Sequence, residues 1–238
     1  MKKVVIIGVG QEHGLGAQLA LRFASMGMHV FIASRTKSRL GTLVKKIEHD
    51  GGEATPICAD ATKEEQVQKL FEIVGSDINL AIYNTGNNFP GQIIEMDANY
   101  FEKSWKSCCF GGFLFGREAI RNMTKSKGGT ILFTGASASL RGRANFGAFN
   151  SSKAALRALA QAMAKEYGPR GIHVGHIVVD GAIAGDKIKK NLPDIEKKLG
   201  DEGMINIEGI VDSYVYLYNQ SPNSWTFEID LRTSIEKW

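Results

Sequence analysis

Three glycines at a fixed spacing, Gly10, Gly14 and Gly16, directly follow the first apolar run of the chain, residues 4–7. A strand that turns sharply into a helix leaves free backbone amides at the helix start, and these amides, together with the helix dipole, bind phosphate. Glycine is needed where such a turn bends tightly or approaches a pyrophosphate closely. The spacing G-x-G-x-x-G fails because His13 stands at its sixth position, whereas G-x-x-x-G-x-G fits. We assign phosphate binding to this turn, with a plain tight turn as the alternative, and its members are Gly10, His13, Gly14, Leu15 and Gly16.

The end of the second apolar run predicts which nucleotide the turn would serve. An acidic residue at this place takes the ribose 2′-hydroxyl of NAD. The sequence instead carries Ser34 and Arg35, and an arginine makes charge-assisted hydrogen bonds to phosphate. We therefore expect NADP(H) rather than NAD(H), with the 2′-phosphate bound by these two residues. The alternative is that Arg35 is only a surface cation.

The elements that must position these residues alternate along the chain. Short apolar runs read as buried strands at residues 4–7, 30–33, 55–58, 80–83, 130–134 and 174–179. Amphipathic segments between them read as helices at residues 16–26, 38–49, 64–74, 100–124 and 148–167. Strand and helix in alternation predict a doubly wound parallel sheet, a three-layer α/β/α Rossmann fold. We expect one domain over residues 1–238, with residues 181–206 as a substrate lid beyond the sixth strand.

Several motifs in this order resemble the short-chain dehydrogenase/reductase family over nearly the whole chain. The glycine turn matches the family's G-x-x-x-G-x-G, and Asp60, followed by Ala61, stands where the family has an aspartate that contacts adenine. Asn84-Thr85-Gly86 is similar to the family's N-A-G element. The resemblance implies hydride transfer between a nicotinamide and a carbonyl or alcohol carbon. It also implies that Asp60, Ala61, Asn84 and Gly86 belong to the nucleotide site.

The catalytic residues of that family are kept only in part. Lys153 fits the lysine that holds the nicotinamide ribose, but the tyrosine position falls on Phe149. The serine position falls on Ala136, and the asparagine position falls on Cys108. The chain thus resembles an atypical subgroup without the active-site tyrosine, which has a similar tail to residues 224–232 here. A tyrosine seven positions before the lysine, as in divergent enoyl reductases, is missing too, because Phe146 stands there.

A substitute proton donor would have to face the nicotinamide. Asp180 is the best candidate because it ends the sixth strand, although it would have to hold a proton near neutral pH, and a turn or cap role is the alternative. Cys108 is the second candidate, with inert packing in a helix as its alternative. His173 and His176 fall within a strand and are expected to pack. No paired metal-ligand spacing occurs, so no metal is predicted. No Ser-His-Asp elbow typical of hydrolases occurs either.

Composition narrows the class of protein. The chain has 238 residues, 43% of them hydrophobic and 23% charged, with a formal net charge of +4, which is typical of a globular protein. No Lys/Arg stripe supports nucleic-acid binding, and no stretch of about 18 apolar residues predicts a membrane span. The first apolar run is too short for a signal peptide. An odd cysteine count, Cys58, Cys108 and Cys109, favours a reducing compartment, and we expect a cytoplasmic protein.

Two functions remain open on the sequence. One is an atypical NADP(H)-dependent oxidoreductase that acts on a small carbonyl or alcohol, with Lys153 and Asp180 as its candidate catalytic residues. The other is a catalytically inactive NADP(H)-binding sensor or scaffold. The family resemblance alone implies a homo-oligomer, either a dimer or a tetramer.

Overall fold

A central parallel sheet organises the computed structural model, which describes residues 1–191, 194–200 and 202–236. Runs rich in valine, isoleucine and phenylalanine form its strands, because such side chains suit a pleated surface that is covered on both faces. Within the described residues the order across the sheet is β3-β2-β1-β4-β5-β6-β7, and all pairs are parallel. The strands are β1 Lys3–Ile7, β2 His29–Ser34, β3 Glu53–Cys58, β4 Ile78–Tyr83, β5 Gly129–Thr134, β6 Ile172–Asp180 and β7 Glu228–Arg232.

Helices cover both faces of this sheet and make three layers. Alternate residues of β1 point to opposite faces, so that Val4 and Ile6 join one hydrophobic core while Val5 and Ile7 join the other. The first core contains side chains of α1, α2 and α9, and the second contains side chains of α3, α5 and α6. The helices are α1 Leu15–Ser25, α2 Lys37–His49, α3 Glu64–Val74, α4 Ala98–Trp105, α5 Gly111–Met123, α6 Gly147–Tyr167, α7 Asp186–Asn191, α8 Ile195–Leu199 and α9 Ile207–Tyr218.

The direction in which successive strands are added to the sheet changes between β1 and β4. From β1 it moves outward through β2 and β3, then returns to place β4 on the other side of β1. Ligands in open α/β sheets bind in the crevice outside the carboxyl ends of the strands at such a switch point. Gly8 follows β1 and Asn84 follows β4, and Asn84 N donates to Ile7 O at 3.0 Å. The crevice therefore opens beside the glycine turn.

The doubly wound fold predicted from the sequence is confirmed, and each of the six predicted strands lies inside an observed one. The continuous helix predicted over residues 100–124 is wrong in its middle. A π-helical turn, Lys106–Phe110, separates α4 from α5, and Gly111 N donates to Lys106 O, five residues back. Helix α9 has no counterpart among the predicted helices, and β7 lies in the C-terminal tail beyond the six predicted strands.

Residues 181–206, the expected lid, include α7 and α8. The two ends of this segment contact each other, because Ile183 and Ile205 form a parallel β-bridge. It also reaches the glycine turn, where Asp186 Oδ2 accepts a hydrogen bond from His13 N at 3.3 Å. Residues 192, 193 and 201 of this segment lie outside the described residues. Among the helices that are described, none combines the length and the apolar character needed to cross a membrane.

Candidate active site

The glycine turn is shaped by two close backbone approaches. Gly8 adopts φ +93°, and a Cβ there would overlap the carbonyl of Asn84. At Gly16 a Cβ would lie 2.8 Å from Gly8 O and 3.0 Å from Asn84 Nδ2. Glycine is therefore required at both positions, because the turn packs directly on the end of β4. At Gly10, in contrast, a Cβ would meet no atom within 4 Å, so the turn leaves open space on that side.

The start of α1 supplies the amides that the turn presents. Gly14 is its N-cap residue and provides no side chain to bond the first amides of the helix. Leu15 and Gly16 are buried, which anchors the first helical turn in the core, while His13 is exposed at the tip of the loop. Uncapped amides, the positive end of a helix dipole and the open space at Gly10 fit the pyrophosphate of a dinucleotide.

The residues expected to contact adenosine and the 2′-phosphate lie at or just beyond the carboxyl ends of β2 and β3. Ser34 is half-buried and Arg35 is exposed, and no described carboxylate pairs with the Arg35 guanidinium. Asp60 Oδ1 accepts hydrogen bonds from Thr62 N at 2.9 Å and Thr62 Oγ1 at 2.8 Å, which fixes the turn after β3. Ala61 is buried beside it. The structure thus leaves a cation free of acid partners beside the position where a 2′-phosphate is expected.

Lys153 is buried at the centre of the crevice. It projects from α6 and is only 3% exposed, and its Nζ donates to Thr134 O at 2.7 Å and Thr85 O at 3.3 Å. These carbonyls stand at the carboxyl ends of β5 and β4, so the ammonium joins two strands next to the switch point. A Cβ at Gly86 would lie 3.5 Å from Lys153 Nζ, which shows how closely the loop after β4 approaches it.

Neither of the two positions expected to supply a hydroxyl beside Lys153 carries one. Phe149 lies one helical turn before it, and the Lys153 Nζ is 5.9 Å from the centroid of the Phe149 ring. Ala136, in the loop after β5, carries no hydroxyl, so neither position can donate a proton. Cys108 is fully buried, and a Cβ at Gly86 would lie 3.5 Å from its Sγ. The thiol therefore packs beside the loop that also contacts Lys153.

The π-helical turn, which contains Ser107 and Cys108, presents a backbone carbonyl to β4 and to the loop after it. Ser107 O accepts hydrogen bonds from Tyr83 OH, at 2.7 Å, and from Thr85 Oγ1. Because Thr85 O in turn accepts from Lys153, the π turn holds one of the two carbonyls that position the ammonium. Such turns are rare and are frequent at functional sites. This contribution of Thr85 and Ser107 could not be predicted from the sequence, because no local pattern indicates it.

Asp180 is held by arginines. Its carboxylate accepts from Arg141 Nη1 at 2.7 Å and from Arg141 Nη2 at 2.9 Å, and Arg232 Nη2 lies 3.7 Å away. Asp180 is only 1% exposed. The carboxylate that the sequence offered as a proton donor is thus bound by the guanidinium of Arg141. The geometry makes Asp180 tie the end of β6 to the loop after β5 and to the end of β7.

A buried chain of three side chains lies behind the loop after β5. His176 Nδ1 is 2.9 Å from Glu228 Oε2, and His176 Nε2 is 3.3 Å from Ser139 Oγ. Glu228 also accepts two hydrogen bonds from Arg157, at 2.6 and 2.8 Å. Burial, together with the positive charges of Lys153 and Arg157, lowers the pKa of His176 to about 4. The hydrogen bond and the negative charge of Glu228 oppose this shift. At neutral pH the imidazole is therefore uncharged, and it ties β6 to β7 and to the loop that carries Ala136.

His173 also packs, as expected from the sequence. Its Nε2 is 2.9 Å from Thr226 O, its ring stacks on Trp225 with centroids 5.0 Å apart, and burial lowers its pKa. No group of three or more His, Cys, Asp or Glu side chains in the described part of the chain could hold a metal ion. The candidate site is therefore the crevice bounded by the glycine turn, the ends of β4 and β5, and Lys153.

Comparison with known proteins places this geometry in a family. The profile described as short chain dehydrogenase matches residues 2–194. An uncharacterised oxidoreductase of Thermotoga maritima is 31% identical over 205 residues, which cover 83% of this chain and 80% of that protein. The crystal structure of a short-chain dehydrogenase from Rhodopseudomonas palustris is 34% identical with a TM-score of 0.83, covering 97% of this chain and 98% of that one.

A further structure carries a nucleotide. A 7α-hydroxysteroid dehydrogenase in complex with NADH and 7-oxo glycochenodeoxycholic acid is 25% identical, has a TM-score of 0.86, and covers 97% of this chain and 92% of that one. The matched residues include the glycine turn, the ends of β4 and β5, and Lys153. The chain therefore belongs to the short-chain dehydrogenase family of oxidoreductases.

Proposed function

We propose that this protein is an atypical NADP(H)-dependent oxidoreductase that acts on a small carbonyl or alcohol and lacks the tyrosine and serine of its relatives. The observation that carries the proposal is the placement of Lys153, a buried ammonium held by carbonyls of β4 and β5 beside an uncapped glycine turn. Burying a charge has a large desolvation cost, so a buried ammonium next to a phosphate-binding turn is expected where the charge serves a ligand.

Different residues of the crevice would bind different parts of the nucleotide. The amides of the glycine turn would hold the pyrophosphate, and Ser34 with Arg35 would bind the 2′-phosphate. Preference for NADP(H) rests on that arginine and on the lack of an acidic residue at the end of β2. The adenosine and the adjoining backbone would lie against Asp60, Ala61, Asn84 and Gly86.

NADP(H), when bound, supplies or accepts the hydride. The protein binds and orients the two reactants, and Lys153 Nζ presents a positive charge and an N–H donor at the ribose end of the site. With Phe149 at the donor position, no side chain there can deliver a proton to the substrate oxygen. Removing a positioned acid lowers a rate by about 10²- to 10⁴-fold, so turnover is expected to be slow but measurable.

The same replacements favour a second candidate function. With Ala136 and Phe149 in place of hydroxyl groups, the chain would serve as an NADP(H)-binding sensor or scaffold without turnover. Both functions need nucleotide binding, and only the oxidoreductase needs Lys153 for chemistry. A test must therefore measure binding and turnover separately.

The deciding experiment is a screen of NADPH consumption against aldehydes, ketones, enones and quinones, together with titration of NADPH binding. The wild type is compared with Lys153→Met, and Lys165→Met is the control because Lys165 is exposed on the same helix. We expect turnover that is lost in Lys153→Met and unchanged in Lys165→Met. Nucleotide binding without turnover in the whole panel would favour the scaffold, and a wild type that binds no NADPH would refute both functions.

A further inference from the structure

A chain of hydrogen bonds runs from α9 to the glycine turn past the carboxyl ends of β5, β4 and β1. Tyr214 OH lies 2.6 Å from Thr134 Oγ1, and Thr134 Oγ1 donates to Asn84 Oδ1 at 3.0 Å. Asn84 Nδ2 then donates to Gly8 O at 3.2 Å. These residues are far apart in the sequence, so the fold alone brings them together. No part of the proposed reaction described above uses Tyr214.

The direction of every bond in this chain is determined. Gly8 O is a carbonyl, so the atom of Asn84 that faces it must be the amide nitrogen. Asn84 Oδ1 is consequently the acceptor for the single hydroxyl proton of Thr134. Since that proton is used, Tyr214 must donate its own proton to Thr134 Oγ1. The phenol is thus the first donor of the chain, and no other group in it can reverse the order.

Tyr214 is suited to remain a donor at all ordinary pH values. It is fully buried among the side chains of α1, α9 and the sheet, and burial raises its pKa above the ordinary value. Thr134 is only 8% exposed, so water competes little for its hydroxyl. A buried hydroxyl that loses its partner is not readily satisfied by solvent. The chain therefore has one arrangement of donors and acceptors.

The chain ends on the atoms that shape the proposed nucleotide site. Asn84 Nδ2 stands 3.0 Å from where a Cβ of Gly16 would be, directly beneath the glycine turn. Thr134, the second member, also presents its carbonyl to Lys153 Nζ at 2.7 Å. One residue thus receives the phenol on its side chain and the ammonium on its backbone. We use the term nucleotide cradle for the glycine turn together with Asn84, Thr134 and Lys153.

We propose that Tyr214 is a positioning residue for the nucleotide cradle: it fixes Thr134 and, through it, both Asn84 under the glycine turn and the carbonyl that holds Lys153. The inference rests on the proposed function, because it assumes that the cradle binds NADP(H). Tyr214 acts from the face of the sheet that α1 and α9 cover, and because it is fully buried it would touch neither the nucleotide nor the substrate. Its phenol replaces no missing catalytic group.

The test is Tyr214→Phe, which keeps the ring and removes the hydroxyl. A neutral hydrogen bond of this kind corresponds to about a 3- to 10-fold change in an equilibrium constant, so we expect NADPH to bind about 3- to 10-fold more weakly. Binding of 2′-AMP should change less than about twofold, since that ligand carries no pyrophosphate for the glycine turn and binds chiefly through Ser34 and Arg35. General loosening of the fold would weaken both ligands alike.

Two further variants control the experiment. Tyr216→Phe lies on the same helix with its ring 59% exposed and should bind both ligands as the wild type does. Thr134→Val removes this bond and the bond to Asn84 Oδ1, while it keeps the carbonyl for Lys153. If Tyr214→Phe does not fold, Thr134→Val is expected to weaken NADPH binding at least as much. The double variant should bind NADPH no more weakly than Thr134→Val alone, because Thr134→Val already removes the bond that the phenol makes.

The outcomes separate the inference from the proposed function. A wild type that binds neither NADPH nor 2′-AMP would refute the proposed function and the inference with it. A wild type that binds NADPH, with Tyr214→Phe and Thr134→Val binding it equally well, would refute the inference alone. Equal weakening of both ligands would assign Tyr214 to general stability instead.

Discussion

The buried imidazole of His176 makes the stability of this protein depend on pH in a direction that can be worked out. Burial lowers its pKa from an ordinary 6.5 to about 4 in the folded chain. The unfolded chain therefore binds a proton at this residue more readily than the folded chain does. Its stabilising contribution is complete above about pH 6.5 and is lost progressively as the pH falls towards about 4.

The size of the effect follows from the two pKa values. Between pH 7 and pH 5, preferential protonation of the unfolded chain at this one residue lowers the free energy of unfolding by about 2 kcal/mol. His176→Gln removes the titrating group. The variant loses stability at pH 7, since the contacts with Glu228 and Ser139 are weakened, but it also loses this part of the pH dependence.

The assay is urea unfolding of the wild type and of His176→Gln at pH 7 and pH 5, followed by circular dichroism. The difference in the free energy of unfolding between the two proteins should shrink by about 2 kcal/mol at the lower pH. His49→Gln, an exposed position at the end of α2, should keep the wild-type pH dependence. Equal pH dependence in the wild type and His176→Gln would refute the reasoning that burial keeps His176 neutral.

Three other substitutions test the proposed site. Arg35→Ala should reduce the preference for NADPH over NADH about tenfold or more in binding titrations, while Arg39→Ala, nearby in α2, changes it little. Gly16→Ala should weaken NADPH binding at least tenfold and lower the free energy of unfolding by about 1–3 kcal/mol, because its Cβ meets backbone and the Asn84 amide, whereas Gly41→Ala, which meets no atom within 4 Å, should be slightly stabilising. Phe149→Tyr should raise turnover by up to about 10²-fold, measured as NADPH consumption; no gain would mean that this position no longer faces the substrate.

The sheet could be predicted because its information is local. Each strand is a short apolar run between turn residues, and the glycine turn follows the first run directly, so both the fold and the phosphate-binding turn follow from neighbouring residues. Helix α9 escaped prediction for the opposite reason. Apolar and aromatic residues, among them Tyr214 and Tyr216, dominate Ile207–Tyr218, so no clear apolar stripe marks this segment as a helix. It also follows directly after a charged region.

The parts of the site that the sequence did not predict depend on contacts between distant residues. Glu228 meets His176 across 52 positions, and Arg141 meets Asp180 across 39, so neither pair leaves a spacing that could be recognised. A buried aspartate at a strand end suggests an acid only until its partners are known. The π turn at Lys106–Phe110 is equally hidden, because a helical pattern does not show which single carbonyl will be released.

The contact between Asp186 and His13 gives the segment of residues 181–206 an anion of its own at the glycine turn. A pyrophosphate placed on the same amides would compete with that carboxylate, and two negative charges at close range repel each other. Nucleotide binding and release of the Asp186 contact are then linked equilibria, each favouring the other to the same extent. A dinucleotide bound at the turn would therefore weaken the contact that joins this segment to it.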